Sequence, residues 1–260
     1  YLLALIALSP AFYLYSVQKN YSQPDFAPVL VAAQLFNEGH REVIYDHEPY
    51  SATRPAEWIE KERELPNGSY DTGYPYTPLY LLPFALLVYL FSYEQCIALM
   101  FLMNILVTMH LSVRLSVNLS RSFWMRTSLI TLMCVANATT APIFLGQHLP
   151  LNLLCMVGFT LSALQNRVWP ALLWFVLAAA SKPWSILLIG IPFLRRDFRL
   201  TGMLIVALLA FMGLQYLWQP EMTRGYIELT QKHARLTVLA YNNFSLSAGL
   251  QRLSMPNWPQ

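Results

Sequence analysis

The 260-residue chain is 56% apolar and 12% charged, with a formal net charge of +3. Soluble domains carry about 25% charged residues, and a single soluble domain of this length has no means of hiding so much apolar surface. The composition therefore predicts an all-α polytopic membrane protein. Its basic residues cluster in short loops, a pattern that orients a membrane chain and does not imply a nucleic-acid partner. Cys96, Cys134 and Cys155 each lie inside an apolar run and read as packing residues, with no disulfide or metal framework.

In chain order, Tyr1–Val17 is apolar and lacks the basic front and cleavage site of a signal peptide, so it reads as a first span. Tyr1 is not a start residue and nothing closes the chain at Gln260; the expectation is a fragment of a longer protein, truncated at both ends. Residues 18–78 form a polar loop, the single membrane domain 1–260 being organised around it. Ten of the 14 acidic residues fall between Asp25 and Asp71, whereas Thr72 to Arg196 holds only Glu94. A carboxylate in hydrocarbon costs about 3 kcal/mol, so this segregation marks the water-facing segment. Within it Val29–Asn37 predicts a short helix, with Asp25 at its N-cap, Pro28 in its first turn and Gly39 just past its end. Being too short to span, it is expected to lie along the interface, half sunk in lipid. Ser51–Leu65 predicts a charged helix in water. Tyr74–Pro78 then re-enters the bilayer, its tyrosines at headgroup level.

Further spans are expected at Leu79–Phe91, Gln95–Val113, Trp124–Ala138, Pro150–Leu164, Val168–Ala180, Pro183–Leu194 and Leu200–Trp218, with a polar loop beyond. Arg114–Arg126 and Arg195–Arg199 each carry three arginines and are assigned to the cytoplasm. Alternating outward from them, Gln147, Lys182 and the segment after Trp218 share the opposite side. Span parity conflicts with this assignment: two full crossings, Leu79–Phe91 and Gln95–Val113, would carry Arg114 to the same side as Asp25. Either the first of these does not fully cross, or the arginines break the rule.

Four places suggest chemistry. Asp25 is a carboxylate at the membrane surface beside a helix start, suited to a general base and equally to a plain cap. Lys182 interrupts an otherwise uncharged run just before Pro183; the alternatives are snorkelling and pairing with an anionic lipid or donor phosphate. Gly146-Gln147-His148 precedes Pro150 and Asn152, which predicts a turn or re-entrant break. Gln147 and Asn152 there suit sugar hydroxyls, or equally the backbone groups that the break frees. His148 reads as an ordinary polar contact. Asn243 closes the last polar segment in Asn243-Phe-Ser245, which also fits a glycosylation sequon. No nucleotide loop, dinucleotide fingerprint or zinc-protease motif is present.

These residues in this order resemble a glycosyltransferase of the GT-C class, most nearly family 87. The resemblance runs through Asp25-Phe26, a short helix and Gly39 before Tyr45-Asp46. It continues with Tyr76-Thr77-Pro78, where threonine stands for the family's first proline, then Gly146-Gln147, Lys182-Pro183 and Asn243-Phe-Ser245. It implies a GT-C-like transmembrane bundle with a large first extracytoplasmic loop carrying interfacial helices. It also implies transfer of a hexose, typically mannose, from a polyprenyl-phosphate donor to a glycan or glycolipid acceptor. On this resemblance Asp25 is the base, Lys182 neutralises the leaving phosphate, and Tyr76, Gln147, Asn152 and Asn243 line the substrate site. The bilayer is then a partner in its own right, the plasma (inner) membrane the expected location, and the active site extracytoplasmic. No cofactor is implied; Asp46 and Asp71 are possible ligands for a divalent metal, without a spacing that demands one. A transporter or flippase for lipid-linked glycans is the alternative, since broken helices suit transporters as well.

Overall fold

The computed structural model describes residues 1–8, 26–46, 54–65, 74, 76–135 and 147–235, and among these all regular structure is helical. Residues 2–8 form α1. Helices α2 (Ala27–Glu38) and α3 (Ala56–Arg63) belong to the polar loop; a 3-10 turn, Pro78–Leu81, leads into α4 (Leu82–Leu90). Then follow α5 (Tyr93–Leu119), α6 (Phe123–Val135), α7 (Leu149–Leu164) and α8 (Val168–Ser181). A 3-10 segment, Pro183–Ile189, runs into the short α9 (Gly190–Leu194), and α10 (Phe198–Trp218) and α11 (Pro220–Arg235) complete the order.

Two of these helices, α5 with 27 residues and α10 with 21, are long and apolar enough to cross a membrane. Among the described residues they run between the same two ends. Tyr93, at the start of α5, lies within electrostatic reach of Glu38 of α2, Lys61 of α3 and Glu64 at the C-cap of α3. The far end of α5 carries Arg114 and Asn118, which share a cavity with Gln165 and Arg167. Helix α10 runs the opposite way. Asp197 caps its start by accepting from the Leu200 amide at 3.0 Å, next to Arg195, whose guanidinium donates to the Ala163 carbonyl. At its other end the Trp218 ring meets Phe36 of α2, centroids 5.8 Å apart. The molecule therefore has an arginine end and a loop end. Helices α7 and α8 and the 183–194 segment each run from the arginine end only as far as a common break at Lys182, which is why they are short.

The apolar stretch Pro78–Leu90 begins and ends on the loop side. Its start is tied to the loop by Tyr45, whose hydroxyl donates to the Tyr76 carbonyl at 2.7 Å. Its end turns at Phe91-Ser92, where Ser92 and Gln95 form a reciprocal capping box that starts α5. Of these two stretches α5 alone runs from the loop end to the arginine end.

Several expectations are corrected. The N-cap of α2 is Phe26, without a side-chain capping bond, so Asp25 does not hold that position. Nor does α2 lie half in lipid: Ala27 through Ala33 and Leu35 are all buried, in the largest core, against α3 and α4. A helix apolar around most of its circumference suits lipid or a protein interior alike, and here its neighbours α3 and α4 enclose it. Its C-terminus is as expected, with Gly39 left-handed at φ 91, which only glycine adopts without strain. Residues 220–235 form a helix, not a polar loop. Met222, Tyr226 and Leu229 recur at helical spacing and are buried, with Tyr226 packed on Tyr45 at 5.9 Å. The backbone of α11 comes so close that a Cβ on Gly225 would stand 2.9 Å from that of Tyr45. The charged loop helix is also shorter than Ser51–Leu65, being Ala56–Arg63, and Tyr74 and Tyr76 are buried in the core and not at its surface. The three cysteines are free and buried.

Candidate functional site

The break between α8 and the 3-10 segment is a consequence of Lys182-Pro183. Proline has no amide hydrogen and disfavours helix in the residue before it, and Lys182 accordingly adopts extended angles, φ −146 and ψ 114. Buried Asn152 of α7 holds the two sides together. Its amide nitrogen approaches the Ser181 hydroxyl at 2.8 Å, the Ser185 hydroxyl at 3.1 Å and the Ala178 carbonyl at 3.1 Å. Asn152, expected as a sugar contact, is thus engaged with the backbone and serines of the break. That engagement is of the kind the sequence offered as the alternative to a sugar contact, while the Asn152 Oδ1 is buried with no hydrogen-bond partner among the described residues.

Lys182 emerges half-buried from this clamp, its Nζ 4.8 Å from the centre of the Tyr76 ring. The ring face electrostatically attracts an ammonium, a contact that orients it without neutralising it. Tyr76 in turn contacts His148 at 4.9 Å between ring centres. Around His148 the rings of Phe26, Tyr80 and Phe84 close the remaining sides at 5.5, 5.3 and 5.1 Å. The imidazole is fully buried and neither ring nitrogen has a hydrogen-bond partner among the described residues. Burial, reinforced by the positive charge of Lys182, pushes its pKa down to about 3, so it is neutral at physiological pH. Gln147 stands next to it, half-buried, its carbonyl accepting from the Asn104 amide of α5 at 3.1 Å. Thr77 closes the loop side by donating to the Ala180 carbonyl, two residues before Lys182.

The structure thus brings Lys182, Tyr76, Gln147 and Asn152 to one place, although they lie up to 106 positions apart in the chain. Asp25, Asn243 and Asp71 lie outside the described residues. Asp46 is exposed on a separate cleft between the 42–44 turn and α11, among Arg41, Glu228 and Lys232. Among the described residues no group of three His, Cys, Asp or Glu side chains is arranged to hold a metal. The feature that sequence reasoning misses is the ring cage around His148. Its members come from two stretches, Phe26 and 76–84, both distant from His148 in the chain, and no local signal reports it. Nor does Ser185 stand out in the sequence, although its spacing of three residues from Lys182 makes it part of the same turn.

This arrangement presents a cation, an aromatic platform and buried polar groups at the break shared by three short helices, chemistry suited to holding an anion. Residues 74–260 match glycosyltransferase family 87. The chain belongs to that family, and it is a glycosyltransferase, an enzyme with a sugar donor and an acceptor. The transporter alternative is thereby set aside. No curated protein and no solved structure matches the chain.

Proposed function

We propose that the enzyme transfers a hexose, with mannose the expected sugar, from a polyprenyl-phosphate donor to a glycan or glycolipid acceptor on the extracytoplasmic face of the plasma (inner) membrane. The observation that carries this reading is the placement of the Lys182 ammonium over Tyr76 at the helix break, where α7, α8 and the 183–194 segment stop short of the loop end. A polyprenyl carrier keeps its chain in the bilayer and its phosphate at the headgroup layer, so a lysine at the level where the short helices end is where that phosphate is met. Phe26, the residue after Asp25 in the chain, packs on His148, the neighbour of both Tyr76 and Lys182. That contact supports Asp25 as a member of the same site.

On this reading Asp25 removes the proton from the acceptor hydroxyl. The hydroxyl oxygen attacks the anomeric carbon as the bond from that carbon to the phosphate oxygen breaks, and the electron pair leaves with the phosphate. Lys182 balances the added negative charge, an interaction stronger in the transition state than before it. One displacement inverts the anomeric centre. Tyr76, Gln147 and Asn243 line the sugar pocket, with Asn152 acting from behind to fix the break. The neutral His148 keeps the floor of the site free of a second positive charge.

The polytopic GT-C bundle is supported by the run of α7, α8 and 183–194 to a common level, and by a loop-end return of Pro78–Leu90 that leaves the arginines at the opposite, cytoplasmic end. The test supplies membranes expressing the full-length protein with radiolabelled polyprenyl-phosphate mannose. Wild type transfers label to lipid or glycan. Asp25→Asn, which preserves size and hydrogen bonding, abolishes transfer without lowering the melting temperature. Near wild-type turnover by Asp25→Asn would remove the base from this mechanism.

A further inference from the structure

A second site lies at the arginine end, far from Lys182. Helix α5 meets the start of α7 where Asn104 reaches the Gln147 carbonyl. Further along, a cavity of about 410 Å³ stands between α5 and the α7–α8 hairpin. One wall is a polar stripe of α5, His110, Arg114 and Asn118, whose i, i+4, i+8 spacing puts all three on one face. The facing wall comes from α7, with Leu154, Val157 and Leu161 leading to Ser162, Gln165 and then Arg167. Trp174 of α8 closes the back. Its indole lies against Gly158, where a Cβ would stand 2.7 Å from the ring, so the cavity wall is tightly supported.

The chemistry of this cavity is lopsided. Two arginines and a histidine line it, and no carboxylate does. Among the described residues neither Arg114 nor Arg167 has an ion pair. No acid is within reach in the sequence either, because the one acid of the stretch 72–196, Glu94, opens α5 at the other end of the molecule. Asp197, the nearest beyond, is engaged as the cap of α10. The cavity is therefore cationic at its mouth and apolar along α7. Around the same end Phe123, Trp124 and Trp169 stand 72%, 76% and 77% exposed, and exposed large aromatics gather at the membrane–water boundary. An anion with an apolar tail, held at that boundary, meets every one of these conditions.

We infer that this cavity is a binding site for an acidic glycerophospholipid of the cytoplasmic leaflet. The phosphodiester sits between Arg114 and Arg167, a geometry for which guanidinium groups are suited. Headgroup hydroxyls meet Asn118 and Gln165, and an acyl chain lies along Leu154, Val157 and Leu161. The lipid bridges α5 to the α7–α8 hairpin, and so ties the long helix to the pair that carries Asn152 and the Lys182 break. The inference rests on α5 crossing the bilayer. It is independent of Asp25 and of the donor's identity.

The experiment is thermal unfolding of the full chain in a neutral detergent, with additions of phosphatidylglycerol, phosphatidylcholine or soluble glycerol phosphate. Phosphatidylglycerol at about a hundredfold excess over its Kd is expected to raise Tm by about 5 °C, with little response to the other two. Arg114→Gln combined with Arg167→Gln loses that response, while Arg121→Gln, outside the cavity, keeps it. An equal response from the double variant would overturn the site, as would an equal loss in Arg121→Gln, since either means diffuse surface charge. A full shift with glycerol phosphate alone would overturn the lipid in favour of a free anion. Should the double variant not fold, photocrosslinking of wild type with a phosphatidylglycerol carrying a reactive acyl chain decides the question. Labelling within 154–167 supports the site and labelling confined to other segments refutes it.

Discussion

Two walls meet at Lys182. One is made by α2, α4 and the tyrosines of 74–80; the other by α7, α8 and the 3-10 segment after them. The first is an apolar and aromatic mass in which α2 is buried almost whole and the rings of Tyr74, Tyr76, Tyr80 and Phe84 follow one another at 5.2 to 5.5 Å. Burial pushes the Tyr45 and Tyr74 hydroxyls well above their usual pKa, and both are used as hydrogen-bond donors to backbone carbonyls, of Tyr76 and Thr77. The second wall is packed through Phe159, Phe175 and small residues, but at the meeting point it depends on a single amide, that of Asn152. Stability in the first wall is spread over many contacts, each worth little alone. In the second, the geometry of the break is concentrated in one side chain. A chain can thus keep a rigid floor beneath a substrate while presenting its charged residue from a hinge that one substitution can spoil.

The strongest test of that contrast is Lys182→Met. It retains the length and the apolar stem and removes the charge. Transfer is expected to fall by a factor of about 100 or more, with folding at least as good as wild type because an expensive charge is gone. Lys182→Arg keeps part of the activity. Initial rates against donor concentration are the measurement: an unchanged rate and half-saturation in Lys182→Met would leave lysine merely reaching for water.

Asn152→Ala comes next. It strips the buried hydroxyls of Ser181 and Ser185 of their shared partner and costs about 2 kcal/mol. Because the break loses its clamp, the rate falls together with Tm. Chemical or thermal unfolding in detergent and the rate assay, done on the same preparation, should show both losses. A stable but slow Asn152→Ala would return this residue to direct contact with the sugar.

Tyr45→Phe has the smallest effect. It removes the hydrogen bond to Tyr76 at a cost of about 1 kcal/mol and leaves the ring packing intact, so the rate changes by a factor of about three at most. If it slows transfer as much as Asn152→Ala, the two walls do not differ in the way described.

The sequence is most legible where local rules suffice. Leu149–Leu164 and Val168–Ser181 lie within a residue of their expected bounds. Their ends are written in Pro150, the Asn166-Arg167 turn and Lys182-Pro183. It is least legible where one residue type fits two solvents. A helix such as Val29–Phe36 is equally apolar whether it faces lipid or protein, and only its tertiary neighbours decide. Helix α11 is a different case, because the spacing of Met222, Tyr226 and Leu229 is visible but outweighed by the charges between them. The environment of His148 lies beyond any sequence reading, since Phe26 is 122 positions away. Lys182, Tyr76 and Gln147 stand out by their resemblance to short motifs, whereas Ser181 and Ser185, which shape the break, carry none.

The unequal helix lengths have a consequence for the bilayer itself. At 1.5 Å per residue, the 14 residues of α8 reach about 21 Å, against about 30 Å of hydrocarbon. The 21 residues of α10 cover that distance in full. On the reading proposed above, a membrane wrapped around such a bundle is dimpled on the side of α7 and α8, its surface drawn inward to meet the shorter helices. At the floor of the dimple the headgroup layer comes down to the level of Lys182. The proposed carrier lipid, diffusing into that thinned patch, would bring its phosphate to the ammonium without leaving its own layer, and the deformation costs the membrane, not the substrate.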